Sequence, residues 1–129
     1  MNGITLTSVL AAGAGGFVGS TLRYLIHASV PRDGASALPV ATLIVNVVGC
    51  GLIGAATAHL VDRPGISDEL RLFLVTGMLG GLTTFSTFGA ETFQLLRAGA
   101  VGPAILNIGL QLGLGLAAVA LGYHLVAPR

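Results

Sequence analysis

The sequence predicts an all-α membrane protein with four transmembrane helices, the third of them broken at mid-membrane. Three observations carry this expectation. Of 129 residues, 53% are hydrophobic and 9% charged, and the mean hydropathy is +0.90, whereas soluble domains carry about 25% charged residues. Apolar stretches of about 20 residues or more, the length that crosses ~30 Å of hydrocarbon, alternate with short polar segments to give four spans. The third stretch is interrupted by Gly80-Gly81-Leu82-Thr83-Thr84-Phe85-Ser86-Thr87-Phe88. Paired glycines weaken a helix by roughly 1 kcal/mol each relative to alanine, and clustered hydroxyls can bind backbone groups that an opened helix releases.

The whole chain reads as one transmembrane domain, residues 1–129. The first helix spans about residues 5–26, and the turn residues Val30-Pro31-Arg32-Asp33-Gly34 follow it. Its start, Met1-Asn2-Gly3-Ile4-Thr5, lacks the basic region of a signal peptide, so the segment is expected to be retained. Pro39 suits the first turn of the second helix, about residues 38–60, because its missing donor costs nothing there. Ser67 or Asp68 can cap the third helix, about residues 69–96. Pro103 suits the start of the fourth, about residues 103–126. Small residues Gly49, Gly51, Gly54, Ala55 and Ala58 in helix two, and Gly109, Gly113 and Ala117 in helix four, offer close-packing faces within or between subunits. Cys50 reads as a small packing residue.

Four helices enclose little interior, which favours an oligomer. The arginines give its form. Arg63, Arg71 and Arg129 lie on one side of a four-span chain, Arg23, Arg32 and Arg97 on the other, and there is no lysine. An even split removes the asymmetry that sets orientation, so the expectation is an antiparallel, dual-topology homodimer in the lipid bilayer.

Few residues have the polarity to carry chemistry. Asn46 stands among Leu43, Ile44, Val45, Val47 and Val48, where an amide needs partners, either as helix-pairing glue or as the lining of a pore. Phe85 and Phe88 share a helical face and interleave with Thr84, Ser86 and Thr87. Phenylalanines so spaced face lipid or core by default, but beside hydroxyls their electropositive ring edges could coordinate a small anion without the deep trap that a basic residue would make. Asn107 and Gln111 also share a face, as a second polar wall or as an interhelical pair. Arg23 reads as a snorkelling anchor or as a pore-mouth cation. Glu91 would pair with an arginine, cap the pore or be solvated. His27, His59 and His124 lie near helix ends, and no catalytic, metal-ligating or nucleotide-binding pattern is present, so no enzyme is expected.

Taken together these residues resemble the small Fluc (CrcB) fluoride channels of microbes over nearly the whole chain. The block Gly80 to Phe88 followed by Glu91 is the most specific element. It is supported by Gly19-Ser20-Thr21-Leu22-Arg23-Tyr24 and by Thr42-Leu43-Ile44-Val45-Asn46-Val47-Val48-Gly49. The resemblance implies passive, fluoride-selective export across the cell inner (plasma) membrane, lowering cytoplasmic fluoride, through two pores in an antiparallel homodimer. It further implies Phe85 and Phe88 as the lining rings, Asn46 as the pore amide, and a central structural sodium ion held by the Gly80 and Thr83 backbone carbonyls. Thr84, Ser86 and Thr87 fall on the same path, with Arg23 and Glu91 at its mouth. On helix four the family tends to place hydroxyls, whereas this chain has Asn107 and Gln111. No nucleic-acid partner is implied.

Two alternatives remain at this stage. A small multidrug antiporter shares the four-helix, dual-topology plan but needs a membrane-embedded carboxylate in helix one, which this chain lacks. A purely structural subunit would explain the glycines but not the Thr83 to Phe88 block.

Overall fold

In the computed structural model side chains cap the first and third spans and the segment after the break, and a proline stands at the start of the other two spans. The structure describes residues 4–31, 34, 37–61 and 65–127. The expectations placed on Met1 to Gly3, Arg32, Asp33, Arg63 and Arg129 lie outside these. Helix α1 (Leu6–Ser29) opens on a capping box in which Thr5 Oγ1 accepts from the Ser8 amide at 3.1 Å and the Thr5 amide donates to Ser8 Oγ at 3.0 Å. Pro39 stands just before α2 (Val40–Ala56) rather than within its first turn, because its ψ of 76° is not helical. The helix runs on through a wider π-helical turn, Thr57–Val61. Ser67 caps the third span by accepting from the Leu70 amide at 3.2 Å. That span, Asp68–Arg97, consists of α3 (residues 68–82), whose middle turns Leu72–Leu79 are π-helical, and α4 (Phe85–Arg97). Gly99, with φ of 75°, turns the chain into α5 (Val101–Val126), where Pro103 occupies the first turn.

Four of these segments are long and apolar enough to cross a membrane, and no strand occurs among the described residues. The chain is thus an all-helical, multi-pass membrane protein with a discontinuous third span.

The helices pack as two parallel pairs through glycine. On α1, a Cβ at Gly15 or Gly19 would overlap the carbonyl oxygens of Phe73 and Met78; on α3, a Cβ at Gly77 or Gly81 would press on the Ala12 and Gly16 carbonyls. The second pair, α2 with α5, uses Gly54 against Val119 and Gly122 against Gly51. Such contacts suit membrane helices, whose association rests on close packing rather than on exclusion of water. The Gly109, Gly113 and Ala117 stripe instead faces outward, and a Cβ at Gly109 or Gly113 would meet nothing within 4 Å.

Candidate functional site

The break consists of two extended residues, Thr83 (φ −79°, ψ 155°) and Thr84 (φ −152°, ψ 110°). It is seated on α2, where Gly49 leaves room for the Thr83 methyl group. Asn46, one turn earlier on α2, holds it. Its Oδ1 accepts from the Thr84 amide at 2.8 Å, and its Nδ2 donates to the Thr84 carbonyl at 3.2 Å and to Gln111 Oε1 at 3.0 Å. Thr84 in turn caps α4, its Oγ1 accepting from the Thr87 amide at 3.2 Å and bonding Thr87 Oγ1 at 2.9 Å.

These bonds redirect two backbone donors. In a continuous helix the Thr84 amide would serve the Gly80 carbonyl and the Thr87 amide would serve the Thr83 carbonyl. Here the first goes to Asn46 and the second to the Thr84 hydroxyl. Hard carbonyl oxygens released at a helix break suit a small hard cation. Gly80 is exposed on the open face of the chain and Thr83 is half-buried beside it.

A groove of about 340 Å³ runs along the break, lined among others by Asn46, Gly80, Thr83, Phe85, Phe88 and Gln111. The Phe85 and Phe88 rings meet edge to face, with centroids 5.5 Å apart. Phe88 is half-buried, whereas Phe85 is 80% exposed. A wider cavity of about 720 Å³ lies on the other side of α4, where Ser86, Thr87 and Glu91 face Pro39, Val40 and Ala41. Arg23 is half-buried toward the end of α1 and is not among the residues that line either space.

Helix α5 brings Gln111 to the break, where it lines the groove, and buries Asn107 one turn away against α4. Asn107 is fully buried and donates through Nδ2 to Thr92 Oγ1 at 2.9 Å. Thr92 Oγ1 donates to the Phe88 carbonyl at 2.7 Å. Thr92 and the fully buried Thr42 are polar members of this core that sequence reasoning did not single out. Their signal was helical spacing, since Thr92 follows Phe88 and Thr42 precedes Asn46 by four residues.

A multi-pass protein with a discontinuous helix, backed by buried amides and hydroxyls, belongs to the class in which irregular backbone at membrane depth borders an ion or solute path. Residues 10–123 match the family model described as CrcB-like protein, Camphor Resistance (CrcB), and the chain belongs to that family. It is 44% identical over 117 residues, covering 91% of this chain and 90% of the relative, to a protein of Ruminiclostridium cellulolyticum named fluoride-specific ion channel FluC. It is similar to relatives of the same name from Clostridium perfringens (43% over 120 residues, 93% and 94% covered) and Aquifex aeolicus (47% over 91 residues, 70% and 73% covered). These relatives are named ion channels, not enzymes, in line with the expectation from the sequence.

Proposed function

We propose that the protein is a fluoride-selective channel that lets fluoride leave the cell passively across the inner (plasma) membrane, lowering its cytoplasmic concentration. The observation that carries this reading is the groove in which the edge-to-face pair Phe85 and Phe88 stands beside the amides of Asn46 and Gln111, in a chain whose relatives bear a fluoride channel's name. Fluoride is small and strongly hydrated. A selective path must replace its water by donors and electropositive ring edges in a space too narrow for chloride. Phe85, Phe88, Asn46, Thr84 and Gln111 supply the polar and aromatic walls of the groove; Ser86, Thr87 and Glu91 border the wider cavity that leads away from it beyond α4, Asn107 backs the site from the core, and Arg23 stays outside both spaces.

The working unit is an antiparallel, dual-topology homodimer with two pores. An 80% exposed Phe85 and an exposed Gly80 beside an open groove suit a second copy that closes the path. The released Gly80 and Thr83 carbonyls fit a central sodium ion shared by two copies, since each chain supplies only part of an oxygen shell. Such an ion would contribute positive charge that pins the two breaks together; this chain's part is to hold the carbonyls out of the helix through Asn46 and Thr84. Fluoride and chloride efflux from liposomes holding the purified protein tests the reading.

A further inference from the structure

We propose that Gln111 Nε2, and not Asn46 Nδ2, is the amide donor that meets the anion beside Phe85 and Phe88. This rests on the fluoride-channel reading of the groove. The orientation of each amide follows from backbone groups whose polarity is fixed. The Thr84 amide only donates, so the Asn46 atom 2.8 Å from it is the oxygen Oδ1. Asn46 Nδ2 therefore points to the Thr84 carbonyl and to Gln111, and both its hydrogens are used. Whatever faces Asn46 Nδ2 must accept, which makes it Gln111 Oε1 and turns Nε2 away.

Gln111 Nε2 is buried and without a partner among the described residues, in a residue only 9% exposed that lines the groove with Phe85 and Phe88. Buried donors are costly to leave unpaired, and an anion is a strong acceptor for one. Asn107, one turn away, has the opposite polarity. The Phe88 carbonyl only accepts, so it uses the single Thr92 hydroxyl hydrogen at 2.7 Å. Thr92 must then accept from Asn107 Nδ2, which leaves Asn107 Oδ1 buried and without a partner among the described residues. An oxygen lone pair repels fluoride. The two helix-four amides are therefore not equivalent: among the described residues Gln111 leaves its whole NH2 group unpaired, whereas Asn107 leaves its oxygen so.

The test uses the full chain in liposomes, with assembly verified by size exclusion and hydrogen fluoride leak subtracted with protein-free liposomes. Gln111→Glu keeps the acceptor for Asn46 Nδ2 but removes the donor. Its fluoride efflux should fall at least about tenfold at pH about 7.5, the scale of one lost charge-assisted hydrogen bond. Efflux should recover toward pH about 5.5, where protonation restores an O–H donor. Gln111→Met, which keeps volume without a donor, should stay low at both pH values. Wild-type rates in either assembled variant overturn the assignment, as does a Gln111→Glu rate that stays low at both pH values, since that marks a packing role. If Gln111→Met does not assemble, the Gln111→Glu profile decides. A wild-type protein that passes no fluoride overturns the channel reading itself; a conducting wild type with unaltered variants overturns only the role of Gln111.

Discussion

Asn46 and Thr84 are joined twice, Oδ1 accepting from the Thr84 amide at 2.8 Å and Nδ2 donating to its carbonyl at 3.2 Å. A side chain on one helix thus supplies the hydrogen bonds that the broken span has lost. The same bond that steadies the break withdraws the natural donor of the Gly80 carbonyl, so the groove and the candidate cation site share one residue.

Asn46→Asp should lower fluoride efflux more than Asn46→Ser. The carboxylate still accepts from the Thr84 amide but brings negative charge to the groove wall, and at about 4 Å in a partly buried site like charges cost about 4 kcal/mol. Efflux at least roughly a hundredfold below wild type is expected for Asn46→Asp. Wild-type efflux in both variants would leave Asn46 as a helix-packing residue.

Phe85→Ile and Phe88→Ile should each suppress fluoride efflux while the dimer still assembles. Both keep apolar volume and remove the electropositive ring edges. Efflux from liposomes, set beside the elution volume of the same samples, reads the two effects apart. Unchanged flux in both would sink the aromatic assignment.

The glycine packing predicts a stability difference between two alanine variants on one helix. Gly15→Ala would drive a methyl group into the Phe73 carbonyl oxygen, an overpacking that costs roughly 1–3 kcal/mol. Gly13→Ala meets nothing within 4 Å and should be neutral or slightly stabilising, since alanine favours helix by about 1 kcal/mol. Thermal unfolding in detergent measures both. Equal stability of the two would show that the α1 and α3 backbones do not meet as described.

How far the sequence discloses this arrangement differs from residue to residue. The break is legible because glycines and hydroxyls are out of place in an apolar span, and it falls at Thr83 and Thr84, inside that block. The glycine seams are legible only in part: Gly49, Gly51 and Gly54 on α2 pack closely, as the sequence suggests, but spacing alone does not tell which glycines do. Gly109, Gly113 and Ala117 have the same four-residue spacing as Gly15 and Gly19, yet the first set faces outward and the second lies against α3. Spacing gives a face of a helix but not what lies opposite. The polarity of Asn107 and Gln111 is likewise hidden, because it is set by the Phe88 carbonyl and the Thr84 amide on another span.

The even arginine split predicts both orientations in one membrane. Adding two lysines beside Arg63 should place that loop in the cytoplasm in every copy, deplete antiparallel partners and abolish fluoride resistance. Co-expressing a copy with two lysines beside Arg32 should restore it. Full resistance from the singly biased copy, with uniform orientation verified by cysteine labelling from each side, would contradict an antiparallel working unit.

The most direct test of the account is ion efflux from liposomes containing the purified protein, with fluoride and chloride loaded separately and a potassium ionophore balancing charge. The account predicts rapid fluoride efflux that needs no proton gradient and chloride efflux no faster than from protein-free liposomes. Fluoride retained at the protein-free rate, or chloride released as fast as fluoride, would contradict it.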